Sequence, residues 1–262
     1  MENRITKLFK EKTRNVLSVY FTGGTPCKND SVDVIKALQE NGVDMVEVGI
    51  PFSDPIADGP TIQNSGLRAL KNGITLKELL VQLQQGRELI KIPLIMMGYL
   101  NPIMQYGLER FCCDARMANV DGVIIPDLPF EVYMQEFRPI AMKYNIKVIM
   151  LITPETSEER IRLIDDNTDG MIYMVSADAT TGARDSFDET THNYFRRIEA
   201  MNLRNPRMIG FGISNRSTFG DACKYASGAI VGSHFIHYLL SDGGCTPDEA
   251  VKKLLHDLGC ER

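Results

Sequence analysis

The chain is 262 residues long, 44% hydrophobic, and carries a formal net charge of -5. A chain of that length buries a large core and matches the ~250 residues of a single α/β barrel, so one domain spanning 1–262 is the simplest organisation. The acidic balance offers no global positive field to nucleic acid or to an anionic membrane surface, so an anionic substrate has to be held locally.

From the N-terminus, residues 1–12 mix Glu2, Lys7, Lys10, Glu11 and Lys12 with Ile5, Leu8 and Phe9. This predicts an amphipathic helix without the apolar stretch of a signal peptide, so no export is expected. Short apolar runs then recur at 16–22, 45–49, 94–97, 122–125, 147–152, 171–175, 208–211 and 229–231. Helical spacing fills the intervals, as in Val32, Ile35 and Leu38 or Leu76, Leu79, Leu80 and Leu83. Strand and helix in alternation predict a parallel sheet. Eight units with no G-x-G-x-x-G turn predict closure into a (β/α)8 TIM barrel with an additional N-terminal helix, rather than an open doubly wound sheet. The runs are almost continuously apolar, as strands covered on both faces require. A faint internal echo, Val43-Asp44 against Val120-Asp121, fits repeated β/α units. The apolar stretch 228–240 is too short to span a bilayer and is broken by His234 and His237, so no membrane association is expected.

The six cysteines form no C-x-x-C pair and have no zinc-like spacing to the four histidines, so reduced thiols, a cytoplasmic setting and no metal are expected. Cys112 and Cys113 diverge on a helix surface, which favours ordinary packing over a redox pair.

In a barrel of this type the reacting groups sit at the C-terminal ends of strands and in the loops that follow. Glu47 interrupts the run Met45-Val46-Glu47-Val48-Gly49-Ile50, where an ionised side chain loses hydration unless it has a partner or a task. Strand alternation sets it on the face of Met45 and Gly49. If that face points inward, an apolar pocket raises its pKa toward neutrality and suits it to acid/base work; a structural carboxylate bonded to a loop amide is the alternative. In the loop that follows, Pro51 and Pro55 flank Asp54, and Asp58 precedes Gly59-Pro60, so the segment is stiff. Asp54 as a turn stabiliser and Asp58 as the N-cap of a helix starting near Pro60 are the structural alternatives to a functional role.

Gly210-Phe211-Gly212-Ile213-Ser214 follows the seventh run and Gly232-Ser233-His234 the eighth, the usual phosphate location in such barrels. Glycines admit a close backbone approach, and N–H groups at a short helix start bind phosphate without a basic side chain; plain tight turns are the alternative. The polar, small-residue segment Ser176-Ala177-Asp178-Ala179-Thr180-Thr181-Gly182-Ala183-Arg184 suits a mobile lid, with Thr181 and Gly182 as its contacts, or else a solvated connector. Tyr173 either points into the pocket or serves as a core tyrosine.

Taken together, Glu47-Val48-Gly49-Ile50-Pro51-Phe52-Ser53-Asp54-Pro55-Ile56-Ala57-Asp58-Gly59-Pro60 closely resembles the signature of the tryptophan synthase α subunit family. The resemblance extends through Phe21-Thr22-Gly23-Gly24, Asn101-Pro102, Asp121-Gly122-Val123-Ile124-Ile125-Pro126-Asp127-Leu128-Pro129, Thr181-Gly182, Gly210-Phe211-Gly212-Ile213-Ser214 and Gly232-Ser233. It implies a lyase of tryptophan biosynthesis that cleaves indole-3-glycerol phosphate to indole and glyceraldehyde 3-phosphate. By the same resemblance Glu47 is the catalytic acid/base and Asp58 accepts the indole N–H. Tyr173, Thr181 and Phe211 match the substrate pocket, and Gly182, Gly212, Gly232 and Ser233 surround the phosphate. The family needs no cofactor on this subunit. It pairs in an αββα assembly with a β subunit that carries pyridoxal phosphate, contacted through Asp54, Pro55 and Asn101. The 176–182 segment departs from the S-x-x-G-V-T-G pattern of familiar members but keeps Thr181-Gly182.

Overall fold

Each apolar run becomes a strand of one closed parallel sheet in the computed structural model, which describes residues 2–176, 186–241 and 244–261. The strands are β1 (Val16–Thr22), β2 (Met45–Gly49), β3 (Leu94–Met97), β4 (Gly122–Ile124), β5 (Lys147–Ile152), β6 (Ile172–Val175), β7 (Arg207–Gly210) and β8 (Gly228–Val231). They pair in sequence order and β8 closes on β1, giving a (β/α)8 TIM barrel. Around it lie α1 (Arg4–Glu11), α2 (Ser31–Glu40), α3 (Pro60–Lys71), α4 (Leu76–Gly86), α5 (Leu100–Tyr106), α6 (Leu108–Met117) and α7 (Phe130–Val132). A π-helical turn (Tyr133–Phe137) joins α7 to α8 (Arg138–Lys143). The outer ring continues with α9 (Glu158–Asn167), α10 (Glu189–Ala200), α11 (Arg216–Tyr225), α12 (Ser233–Leu239) and α13 (Pro247–Leu258). Side-chain caps start several helices: Thr75 with Glu78 closes a capping box on α4, and Thr246 with Glu249 closes one on α13. Among the described residues, no helix is long and apolar enough to cross a membrane.

Period-two alternation sorts the strand residues into two cores. Leu17, Val19 and Phe21 of β1 pack outward against the helices, in the large cluster that also holds Val46, Val48, Leu79 and Leu83. Val16, Met45, Ile95, Ile124, Ile149, Met208 and Ile230 point into the barrel, where Ile5 and Phe9 of α1 join them. The added N-terminal helix is therefore a plug across the N-terminal ends of the strands. Gly122 fits it closely, since a Cβ there would lie 2.9 Å from Ile5 Cδ1. Arg4 pairs with Asp121 at 2.7 Å, and Asp121 also accepts from Leu94 N at 2.9 Å. Asp44 does the equivalent job one pair of strands away, accepting from Leu17 N at 2.8 Å and from Lys12 Nζ at 2.6 Å. The echo between Val43-Asp44 and Val120-Asp121 is thus a repeated clasp on the start of the preceding strand.

Four strands differ by one residue from the sequence expectation: β4 stops at Ile124, β6 begins at Ile172, β8 begins at Gly228, and β7 is shifted back to Arg207–Gly210. The β7 shift has a local cause, because Phe211 turns into positive φ (70°) and leaves the ladder. Cys112 is buried in the core face of α6 while Cys113 is only half-buried, the divergence expected of neighbours on a helix.

Candidate active site

At the C-terminal ends of the strands the interior is open, forming a cavity of about 540 Å³. Two strand glycines make room for two tyrosines that wall it: a Cβ on Gly49 would lie 2.1 Å from Tyr20 Oη, and one on Gly210 would lie 2.1 Å from Tyr173 Oη. Glu47 projects between them from β2, on the inward face expected from Met45, and is fully buried. Its Oε1 accepts from Ser18 Oγ at 2.9 Å, while Oε2 is buried with no hydrogen-bond partner among the described residues. Burial pushes its carboxyl up to about 8, against the opposing pull of the Ser18 hydroxyl. The alternative of a structural carboxylate tied to a loop amide is not what the geometry contains, since the bonded partner is a side-chain hydroxyl inside the barrel.

Asp58 reaches the same cavity from the loop after β2. That loop is folded on itself: Asp58 N donates to Pro55 O at 3.1 Å, and Gln63 Nε2 of α3 donates to Asp58 O at 2.9 Å. The N-cap of α3 is Gly59, and no side chain caps it, so the Asp58 carboxylate is not consumed as a helix cap. Tyr99 lies against the segment: its hydroxyl oxygen accepts from Ala57 N at 2.9 Å, and its hydrogen bond to Asp58 favours the ionised form. Partial burial outweighs that bond and pushes Asp58 up to about 6. The cavity therefore holds two carboxyl groups whose pKa values stand on opposite sides of neutrality.

Tyr173 is both a core and a cavity residue, and it meets the Phe211 ring edge-on with centroids 6.2 Å apart. Phe211 and Gly212 are consecutive positive-φ residues, at 70° and 72°. A bulky side chain in that region is strained, and such strain persists where the surroundings over-determine it. Gly212, Gly232 and Ser233 all line the end of the cavity away from α1, and Gly232 is the N-cap of the short helix α12 with no side-chain cap. Backbone N–H groups are thus available there for an anion. The described lining contains no lysine or arginine, and its cationisable groups are His234 and His237 of α12. His234 Nε2 lies 2.7 Å from Asp257 of α13.

Thr181 and Gly182 lie outside the described residues. Asp54, Pro55 and Asn101 do not line the cavity. Asp54 and Asn101 are exposed, the Ser53 hydroxyl donates to the Asp54 carboxylate, and Asp54 O accepts from Ile56 N at 3.0 Å. Beside them Ile56 is 89% exposed and Met104 of α5 is 50% exposed.

Sequence reasoning passed over Ser18 and Tyr20 within β1, placed His234 after Gly232-Ser233 in the expected phosphate loop, and noticed His237 only as an interruption of an apolar stretch. The signal for the first two was present: Val16, Ser18, Tyr20 and Thr22 share the inward face, so two of them break an apolar alternation as Glu47 does in β2.

The family model described as "Tryptophan synthase alpha chain" matches residues 6–257. A tryptophan synthase alpha chain of Parabacteroides distasonis is 58% identical over 98% of this chain and 99% of its own length. One from Bacteroides fragilis is 56% identical over 96% of this chain and 95% of its own. Among solved structures, a tryptophan synthase alpha chain from Legionella pneumophila superposes with a TM-score of 0.87 at 33% identity, covering 98% of this chain and 96% of that one. A chain of a tryptophan synthase complex from Pyrococcus furiosus gives 0.84 at 36% identity, covering 94% of this chain and 98% of that one.

Proposed function

This chain belongs to the tryptophan synthase alpha chain family, and from that premise we propose how its cavity carries out the family reaction. The enzyme is a lyase: it cleaves indole-3-glycerol phosphate to indole and glyceraldehyde 3-phosphate in tryptophan biosynthesis, and the indole passes to a β subunit. Cleavage of the bond to indole C3 needs a proton delivered to that carbon and a proton withdrawn from the adjacent glycerol hydroxyl as the aldehyde forms. Neutral Glu47 gives its proton to C3, which turns the ring into a cationic indolenine. The resulting carboxylate takes the hydroxyl proton, the C–C electron pair returns to the ring, and Glu47 is restored. Ionised Asp58 accepts the indole N–H and stabilises the positive charge on the ring more strongly in the transition state than in the neutral substrate. One proton leaves and one returns with no net oxidation, so the chemistry draws on no cofactor bound to this chain.

Tyr173 and Phe211 hold the indole. The amides at Gly212 and Gly232 hold the phosphate with the Ser233 hydroxyl, and Thr181 and Gly182 complete the two groups. Residues 1–262 act as one domain. Asp54, Pro55 and Asn101, flanked by the apolar side chains of Ile56 and Met104, dock the β subunit in an αββα tetramer, and the pyridoxal phosphate resides on that partner. A cytoplasmic setting suits the six free cysteines.

The observation that carries this reading is a fully buried glutamate with one unpartnered oxygen, in the same cavity as a second perturbed carboxylate. A coupled indole-release assay on the purified chain, with and without β subunit, tests it. Glu47→Gln should lose turnover while still binding inorganic phosphate. Near-parental turnover in that variant would overturn the role of Glu47.

A further inference from the structure

Below Glu47 the barrel interior is hydrocarbon, with an exception on β1. Ser18 is fully buried, its register neighbours are Met45 on β2 and Ile230 on β8, and it donates to Glu47 Oε1 at 2.9 Å. A buried hydroxyl is unfavourable unless bonded, and an apolar side chain of the same size would suit these neighbours. The hydroxyl therefore answers to Glu47. The other oxygen of that carboxyl, Oε2, is equally buried and has no partner among the described residues. We propose that Ser18 is a positioning residue for the lyase reaction: by bonding Oε1 it leaves Oε2 as the oxygen that carries the transferable proton, and holds that oxygen toward the substrate.

In a neutral carboxyl group one oxygen bears the proton and the other is the better acceptor. Among the described residues the Ser18 hydroxyl has no other acceptor, so its proton points at Oε1 and the acid proton sits on Oε2. When that proton moves to indole C3, the Ser18 bond becomes charge-assisted and stabilises the carboxylate without any group having to turn. When the glycerol hydroxyl proton arrives on Oε2, the starting arrangement returns. A single bond thus fixes both the orientation of the acid and the identity of its reactive oxygen. The titratable groups facing Glu47 are Tyr20 from β1, Tyr173 from β6 and Asp58 from the loop after β2, with His234 and His237 of α12 in the same cavity. The Ser18 bond is the influence that opposes burial in setting the Glu47 carboxyl.

This inference rests on the reading of Glu47 as the acid/base, so the test keeps the two apart. Indole release is followed across pH for the parent chain with β subunit, Ser18→Ala, Glu47→Gln and the double variant, each checked for folding by circular dichroism and thermal melting. Ser18→Ala should lower kcat about tenfold with KM within about twofold. It should also move the alkaline limb of the profile up by about one pH unit, because a donor that favours the ionised form is gone. Ser18→Cys, close in volume but a weak donor, should behave like the alanine variant and serves if alanine does not fold. In the Glu47→Gln background Ser18→Ala should cost nothing further. A parental kcat and alkaline limb in Ser18→Ala, a change confined to KM, or a full additional loss in the double variant would each overturn the role of Ser18. Full turnover in Glu47→Gln alone would instead remove the premise.

Discussion

In the lower half of the barrel, Val16, Met45, Ile95, Ile149 and Met208 interlock with Ile5 and Phe9 of α1, whereas in the upper half Tyr20, Glu47 and Tyr173 line an open cavity. The same eight strands build both regions. In the lower one every inward side chain finds hydrocarbon neighbours and contributes burial, roughly 1.5–3 kcal/mol for a large aliphatic side chain. In the upper one a carboxyl is desolvated with half its hydrogen-bonding capacity unused, which is unfavourable for folding. The plugged end supplies stability that the reactive end gives up, so variants should divide cleanly by height along the barrel axis.

The largest effect expected is at Glu47. Glu47→Gln should fold normally and lose roughly 10²-fold or more in indole release, the scale of a positioned acid/base. Asp58→Asn should lower kcat by roughly 10²-fold, as the loss of a preorganised electrostatic partner does, and leave the affinity for inorganic phosphate nearly unchanged by calorimetry. Lost phosphate binding would make Asp58 a structural residue. Ile5→Ala tests the other region: urea unfolding should reveal a loss of about 2–4 kcal/mol, while kcat/KM stays within about threefold. A large kinetic effect there would mean that the plug and the cavity are not separable.

Acidity sharpens the contrast further. Glu47 must be protonated and Asp58 ionised, so kcat/KM should fall about tenfold per pH unit above about 8 and below about 6. Stability carries the opposite mark of the same burial. The folded Glu47 carboxyl is raised from 4.5 to about 8, so the native state binds the proton more tightly than the unfolded chain. Its contribution is full below about 4.5 and is lost as pH rises through about 8. Glu47→Gln should therefore be more stable than the parent at pH 9, by ~1–3 kcal/mol in urea unfolding, although inactive. Equal stability at that pH would mean that Glu47 is not desolvated in solution.

The eight strands were legible because both faces of a parallel sheet are buried, which leaves an unbroken apolar run that few other structures produce. Glu47 was legible for the same reason in reverse, since a charge inside such a run needs either a partner or a task. Ser18 and Tyr20 escaped notice because a serine or a tyrosine in a strand is unremarkable until the register reveals which face it occupies. Asp58 taken alone read more readily as a helix cap than as a functional group until the fold gave the cap position to Gly59. Phe211 read as the last residue of a strand, because side-chain pattern carries no information about the sign of φ.

By itself, then, the order of residues determined the barrel, its added N-terminal helix, and a short set of acids and glycines fit for chemistry, since burial pattern and local turn chemistry are properties of neighbouring positions. Only the tertiary structure decided that Ser18 of β1 bonds Glu47 of β2 and that Asp58 shares the cavity of Glu47. It also decided which oxygen of Glu47 is left bare and that two histidines of α12 stand beside the amides at Gly212 and Gly232. Ser18, Glu47 and Asp58 are 11 to 40 positions apart in the chain, and no local energy term along it registers their meeting.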